Sequence, residues 1–160
     1  MIQYIHMISL FFVYIIHHVA LVFGLASSLV IDIFMIVVEK YKKIRALEKG
    51  IVNRVLSFAF ISAILVFLIE IAHLFLIFIT DVGGVYETQV YVRNMITTTL
   101  SGLLVFSIAT QKYYHIKTLY RYQEQHHHLS DSFIKHHKEI LNTAVLCLLL
   151  WISLYMCYVL

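Results

Sequence analysis

The sequence predicts an all-α protein: a four-helix transmembrane bundle with its N-terminus and C-terminus outside the cytoplasm. Three observations carry this. Hydrophobic residues make up 61% of the 160 positions and charged residues only 13%, against roughly 45–50% and 25% in soluble domains. Four stretches are long and apolar enough to cross a bilayer, which takes about 20 residues. Lys and Arg fall almost wholly into two of the three connections between them.

The first stretch covers 8–38 and is interrupted by His17, His18, serines and Asp32. The second, 55–79, carries Glu70 and His73. The third, 92–111, is the most polar, with threonines at 97–99 and Ser101. The fourth, 140–160, holds no charge. Proline is absent, so nothing removes a backbone donor inside these helices.

The connections set the orientation. Segment 39–54 has six basic and two acidic residues, and segment 112–139 has five basic and three acidic. Segment 80–93 has two acids and one arginine. Thus 6 + 5 = 11 of the 12 Lys and Arg lie in the first and third connections. Short basic connections stay in the cytoplasm, which places 39–54 and 112–139 inside and both termini outside. No low-complexity linker or internal repeat divides the chain, so 1–160 is expected to be one membrane domain. The third connection is long enough for helical extensions, and its YYHIKTLYRYQEQ segment has the amphipathic, tyrosine-rich character of an interfacial helix.

Several function classes drop out. Cys147 and Cys157 are ten residues apart in an apolar run, which is neither a disulfide framework nor a redox motif. The opening MIQYIHMISLFF lacks the basic region of a secretory signal. No phosphate loop, catalytic triad, zinc-protease helix or nucleic-acid module is present. Topology accounts for the basic segments, so no nucleic-acid partner is expected. The expected partners are the lipid bilayer and membrane proteins, a second copy included.

Ionisable residues in hydrocarbon are costly and usually face the bundle interior. At about 100° per residue, His17, Leu21, Gly24, Ser28 and Asp32 share one stripe of the first helix, with His18 at its edge. Gly24 and Ser28 form a small-xxx-small pair that lets another element approach closely. Ser62, Val66, Glu70 and His73 form a second stripe. Counted from the cytoplasmic ends, His17, His18, His73 and Arg93 all come out at about 30 Å, with Glu70 roughly one turn deeper. Tyr155, Cys157 and Tyr158 reach a similar level on the last helix.

Two chemistries use such a set, the first being the leading expectation and the second its alternative. One is haem b or a transition-metal ion near the outer face, serving membrane redox chemistry. His17, His18 and His73 are then the imidazole donors, Glu70 a further metal ligand, and Arg93 the partner of the haem propionates. The other is proton or ion translocation through Asp32, Ser28, Glu70 and His73, lined by Ser62, Thr97 and Ser101, with no cofactor. A third role is structural, as a subunit packed against larger membrane partners.

Each residue also has a plainer reading. The histidines need only hydrogen-bond across helices, and Glu70 a serine or histidine. Asp32 is expected to find Ser57, Ser107, Lys40 or Lys112. Arg93 anchors its helix at the headgroups, and Trp151 and the outer tyrosines pack. Histidines 126–128 and 136–137 sit in a solvated loop, although clustered histidines also bind metals.

The residues His18, Gly24, Ser28, Asp32 and Trp151 resemble a pattern of small bacterial four-span membrane proteins of unassigned function. In outline the chain is also similar to copper-resistance-D-like and b-type cytochrome membrane proteins. It lacks a second pair of intramembrane histidines on the last two helices, so the resemblance implies at most one haem. It also implies a multi-pass protein of the bacterial cytoplasmic membrane.

Overall fold

A computed structural model describes the backbone of residues 2–41, 46–80, 88–123 and 131–159, and the side chains of 11–34, 36, 37, 50–79, 89–114 and 142–158. All of this backbone is helical: α1 is Ile2–Tyr41, α2 Ala46–Thr80, α3 Thr88–Gln123 and α4 Asp131–Val159. Each helix begins before its apolar stretch, and α1, α2 and α3 also run past its end. Apolarity marks what hydrocarbon must cover, not where backbone hydrogen bonding stops. The histidine cluster at 126–128 and 136–137 lies outside the described side chains.

Packing joins α1 to α2, α2 to α3, α3 to α4 and α4 back to α1, so the helices close into a ring. Glu70 meets Thr97 and Ser57 meets Lys112, a falling register that makes α2 and α3 antiparallel. Gly24 meets Trp151 and His17 meets Tyr158, which does the same for α1 and α4.

The distribution of polarity is inside out compared with a soluble bundle. Phe11, Phe23, Phe58, Phe75, Phe78 and Phe106 are all more than 60% exposed, while Ser28, Asp32, Ser62, Glu70, Thr97 and Ser101 are buried. Water would penalise that much exposed apolar area; lipid does not. Three helices have segments long and apolar enough to cross a membrane: Phe11–Phe34, Gly50–Ile79 and Gln89–Tyr114. The described apolar part of α4, Asn142–Tyr158, is shorter.

The hydroxyls of α3 do not break it because they bond back onto their own helix. Thr98 and Thr99 donate to the carbonyls of Asn94 and Met95, and Ser101 to that of Thr98. Each hydroxyl is thereby satisfied without leaving the apolar surroundings.

Two close approaches hold the core. Trp151 is fully buried, and its indole lies so tightly on α1 that a Cβ on Gly24 would overlap it. The small-xxx-small notch therefore receives a side chain of α4. At Gly102 a Cβ would stand 3.2 Å from the Phe67 ring. Around these pack Leu21, Leu56, Val66, Leu104, Ile108 and Leu154.

Candidate functional site

Residues of three helices meet at one buried carboxylate, and the fourth helix packs against one of them. Glu70 on α2 is 0% exposed. Its Oε2 accepts a hydrogen bond from Thr97 Oγ1 of α3 at 2.6 Å. Its Oε1 lies 3.0 Å from Nε2 of His17 on α1. The ring of Tyr158 on α4 packs edge-on against His17, with centroids 4.6 Å apart.

The His17 contact is close but not aligned. Nε2 and Oε1 are both buried, and neither makes a hydrogen bond of good geometry among the described residues. Tyr158 Oη is in the same condition. Glu70 Oε1, His17 Nε2 and Tyr158 Oη, from three helices, are thus buried with unused bonding capacity among the described residues. A small motion of the imidazole would bring Nε2 into line with Oε1, and a single proton could then sit on either atom. In low-dielectric surroundings such a pair is affordable only because each member compensates the other.

A second polar level lies further along the bundle. Asp32 on α1 is buried, and both its carboxylate oxygens lack a hydrogen-bond partner among the described residues. Asp32 is fifteen residues from His17, or about 22 Å along the helix. Buried Ser28, Ser62 and Ser101 fall between these levels at successive helical positions, interleaved with Leu21, Val66 and Trp151.

The expected residues divide clearly. The whole α1 stripe of His17, Leu21, Gly24, Ser28 and Asp32 is buried, as are Ser62, Val66 and Glu70 on α2. His18 is half-buried at the α1–α4 seam, where its ring meets Tyr14 and Tyr158. His73 is also half-buried, one turn beyond Glu70. Arg93 does not join the cluster. It is exposed and lines an outward groove of about 360 Å³ with Gln89, Val92, Ile96 and Cys157. Arg93 lies near the start of α3, within reach of the helix end, so its long side chain can turn outwards. The partner expected for Asp32 is also not made by Lys112. Its ammonium instead donates to Ser57 Oγ at 3.1 Å and lies over the Phe60 ring.

Two partnerships were not legible in the sequence: Thr97 as the hydrogen-bond donor to Glu70, and Tyr158 as the ring against His17. Thr97 and Ser101 share a face of α3 at i, i+4, and that spacing is the signal that could have singled out Thr97.

Metal or haem binding can be tested on the donor set. Among the described residues, no group of three or more His, Cys, Asp or Glu converges as a metal site requires. The pair at the core offers one imidazole and one carboxylate, and the imidazole nitrogen nearest to it already faces that carboxylate. That pair alone supplies one of the two axial imidazoles that a haem takes. In comparison with known proteins, no family model matches the chain, and no curated protein or solved structure matches it.

Proposed function

We propose that this protein is a four-span bundle of the bacterial cytoplasmic membrane that carries protons through its interior. Both termini face outside, as the basic first and third connections favour. His17, Glu70 and Thr97 form the outer station, and Asp32 with Ser28 the inner one. The observation that carries this reading is the fully buried Glu70 held 3.0 Å from His17 Nε2. A buried imidazole–carboxylate pair with an unaligned contact can exchange one proton at little geometric cost.

The fourth span is supported by packing. Trp151 and Leu154 are fully buried among the other helices. A helix that completes the ring at the same levels as α1 and α3 shares their environment. Lipid chains cover the phenylalanine-rich exterior in this reading, and neither haem nor metal is needed.

Infrared difference spectra across a pH step test the assignment. A carboxyl band that responds to pH, and vanishes in Glu70→Gln, is the expected result. A pH-insensitive carboxyl region would count against it.

A further inference from the structure

Arg93 is a cation on the lipid-facing side of a bundle that leaves it unpaired. The described side chains include two carboxylates, Asp32 and Glu70, and both are buried in the core. Among the described residues the one close ion pair joins Glu70 to His17, so no protein anion neutralises the exposed guanidinium. A permanent charge next to hydrocarbon is costly without a partner, and the anion that a membrane itself supplies is the lipid phosphate.

The groove beside Arg93 is graded in polarity along its length. Gln89, Val92, Arg93 and Ile96 follow one another at i, i+3, i+4 and i+7, so they share a face of α3, and Cys157 of α4 forms the other wall. The apolar span of α3 begins at Gln89. Arg93 is four residues further on, about 6 Å along the axis, and Ile96 about 10 Å. The headgroup layer is about 5–8 Å deep on each side of the hydrocarbon. The amide and the guanidinium thus fall at headgroup level, with apolar walls continuing below them. The volume of about 360 Å³ lies within the range of ligand clefts, about 300–1,000 Å³.

A second groove shows what the charge adds. It measures about 460 Å³ and lies between Phe75 and Phe78 of α2 and Tyr91 and Met95 of α3. It has no charged residue among its described lining residues, so nothing in it distinguishes one lipid from another.

We propose that the α3–α4 groove binds one anionic phospholipid, its phosphodiester on Arg93 and Gln89 and an acyl chain along Val92, Ile96 and Cys157. The planar guanidinium offers two parallel N–H donors to two phosphate oxygens, and the Gln89 amide adds a donor one turn nearer the helix end. A zwitterionic lipid carries the same phosphate with a cation of its own, so its net attraction to Arg93 is weaker. The proposal rests on the membrane reading of the bundle and is independent of proton carriage.

The test is native mass spectrometry of the full chain released from nanodiscs of equal parts phosphatidylglycerol and phosphatidylcholine. Wild type should carry one phosphatidylglycerol, favoured about fivefold or more over phosphatidylcholine. Arg93→Gln should lose this preference. Ile96→Trp, which fills the groove below an intact guanidinium, should lose the bound lipid. Arg54→Gln removes an exposed cation near the other end of the bundle, and Met95→Trp fills the uncharged groove; both should bind as wild type does. Undiminished binding by Arg93→Gln or Ile96→Trp, or an equal loss from Arg54→Gln or Met95→Trp, overturns the site. Should Arg93→Gln or Ile96→Trp fail to fold, Cys157 of the wild type reports instead. Its alkylation by N-ethylmaleimide in detergent micelles should slow on adding phosphatidylglycerol and not on adding glycerol phosphate. An unchanged rate, or equal slowing by glycerol phosphate, overturns the lipid site. A chain that enters no nanodisc overturns the membrane reading, whereas one that enters and is released with no lipid overturns this site alone.

Discussion

The Thr97 hydroxyl of α3 donates to Glu70 Oε2 of α2 at 2.6 Å, in a part of the core closed to solvent. The same hydroxyl lies 3.2 Å from the Asn94 carbonyl of its own helix. With one hydrogen to give, Thr97 directs it along the shorter contact, to the carboxylate. That bond fixes the plane of the Glu70 carboxylate and so aims its other oxygen at His17. Thr97→Val keeps the shape and removes the donor. It should lower stability by about 1–2 kcal/mol, because a buried acceptor loses its partner. Denaturant unfolding in detergent measures this. A change near zero would show that the bond adds nothing in place.

Gly24→Ala should be far more damaging than its single methyl suggests. The new Cβ would overlap the Trp151 indole, and overpacking of a rigid core costs about 1–3 kcal/mol. Trp151→Phe should restore part of the loss when combined with Gly24→Ala, giving a coupling term in a double-mutant cycle. Additive effects would place the indole away from Gly24.

Asp32 should show opposite effects on stability and function. Its carboxylate is buried without a hydrogen-bond partner among the described residues, and such a group is expensive. Asp32→Asn should therefore unfold at the same or a higher temperature while losing proton uptake, the signature of a residue kept for function. A large drop in unfolding temperature would instead mark Asp32 as structural.

Cysteines introduced at Lys43 and Gln125, in a background lacking Cys147 and Cys157, should react with an impermeant maleimide only from the cytoplasmic side. One at Thr88 should react only from the outside. The Lys and Arg distribution predicts this pattern. One connection labelling from the opposite side would break the four-span topology.

Much of the fold and of the polar interior could be read from the sequence, and the reason is periodicity. The stripe from His17 to Asp32 is buried at every member, because a helix fixes which side chains share a face before any packing is known. Glu70 faces inward for the same reason. Pairings between helices were less legible. Gly24 and Ser28 announce a close approach, but nothing local says that a tryptophan 127 positions later (24 to 151) fills the notch. Thr97 and Tyr158 belong to the site through register between helices, which a single helix does not encode. Arg93 shares the depth of the cluster yet points away, since depth along an axis does not determine the direction of a long side chain. The partner of Asp32 failed on a similar point. Lys112 lies near the expected level, and its ammonium is taken up by Ser57.

Proton uptake by reconstituted vesicles is the most direct test of the buried His17–Glu70 pair as a proton carrier. Wild-type vesicles under an imposed pH difference should acidify faster than protein-free vesicles. Glu70→Gln should remove most of that excess, since the amide retains an acceptor for Thr97 and cannot exchange a proton with His17. Equal rates for wild type and Glu70→Gln, or wild-type vesicles as tight as empty ones, would contradict the proposal.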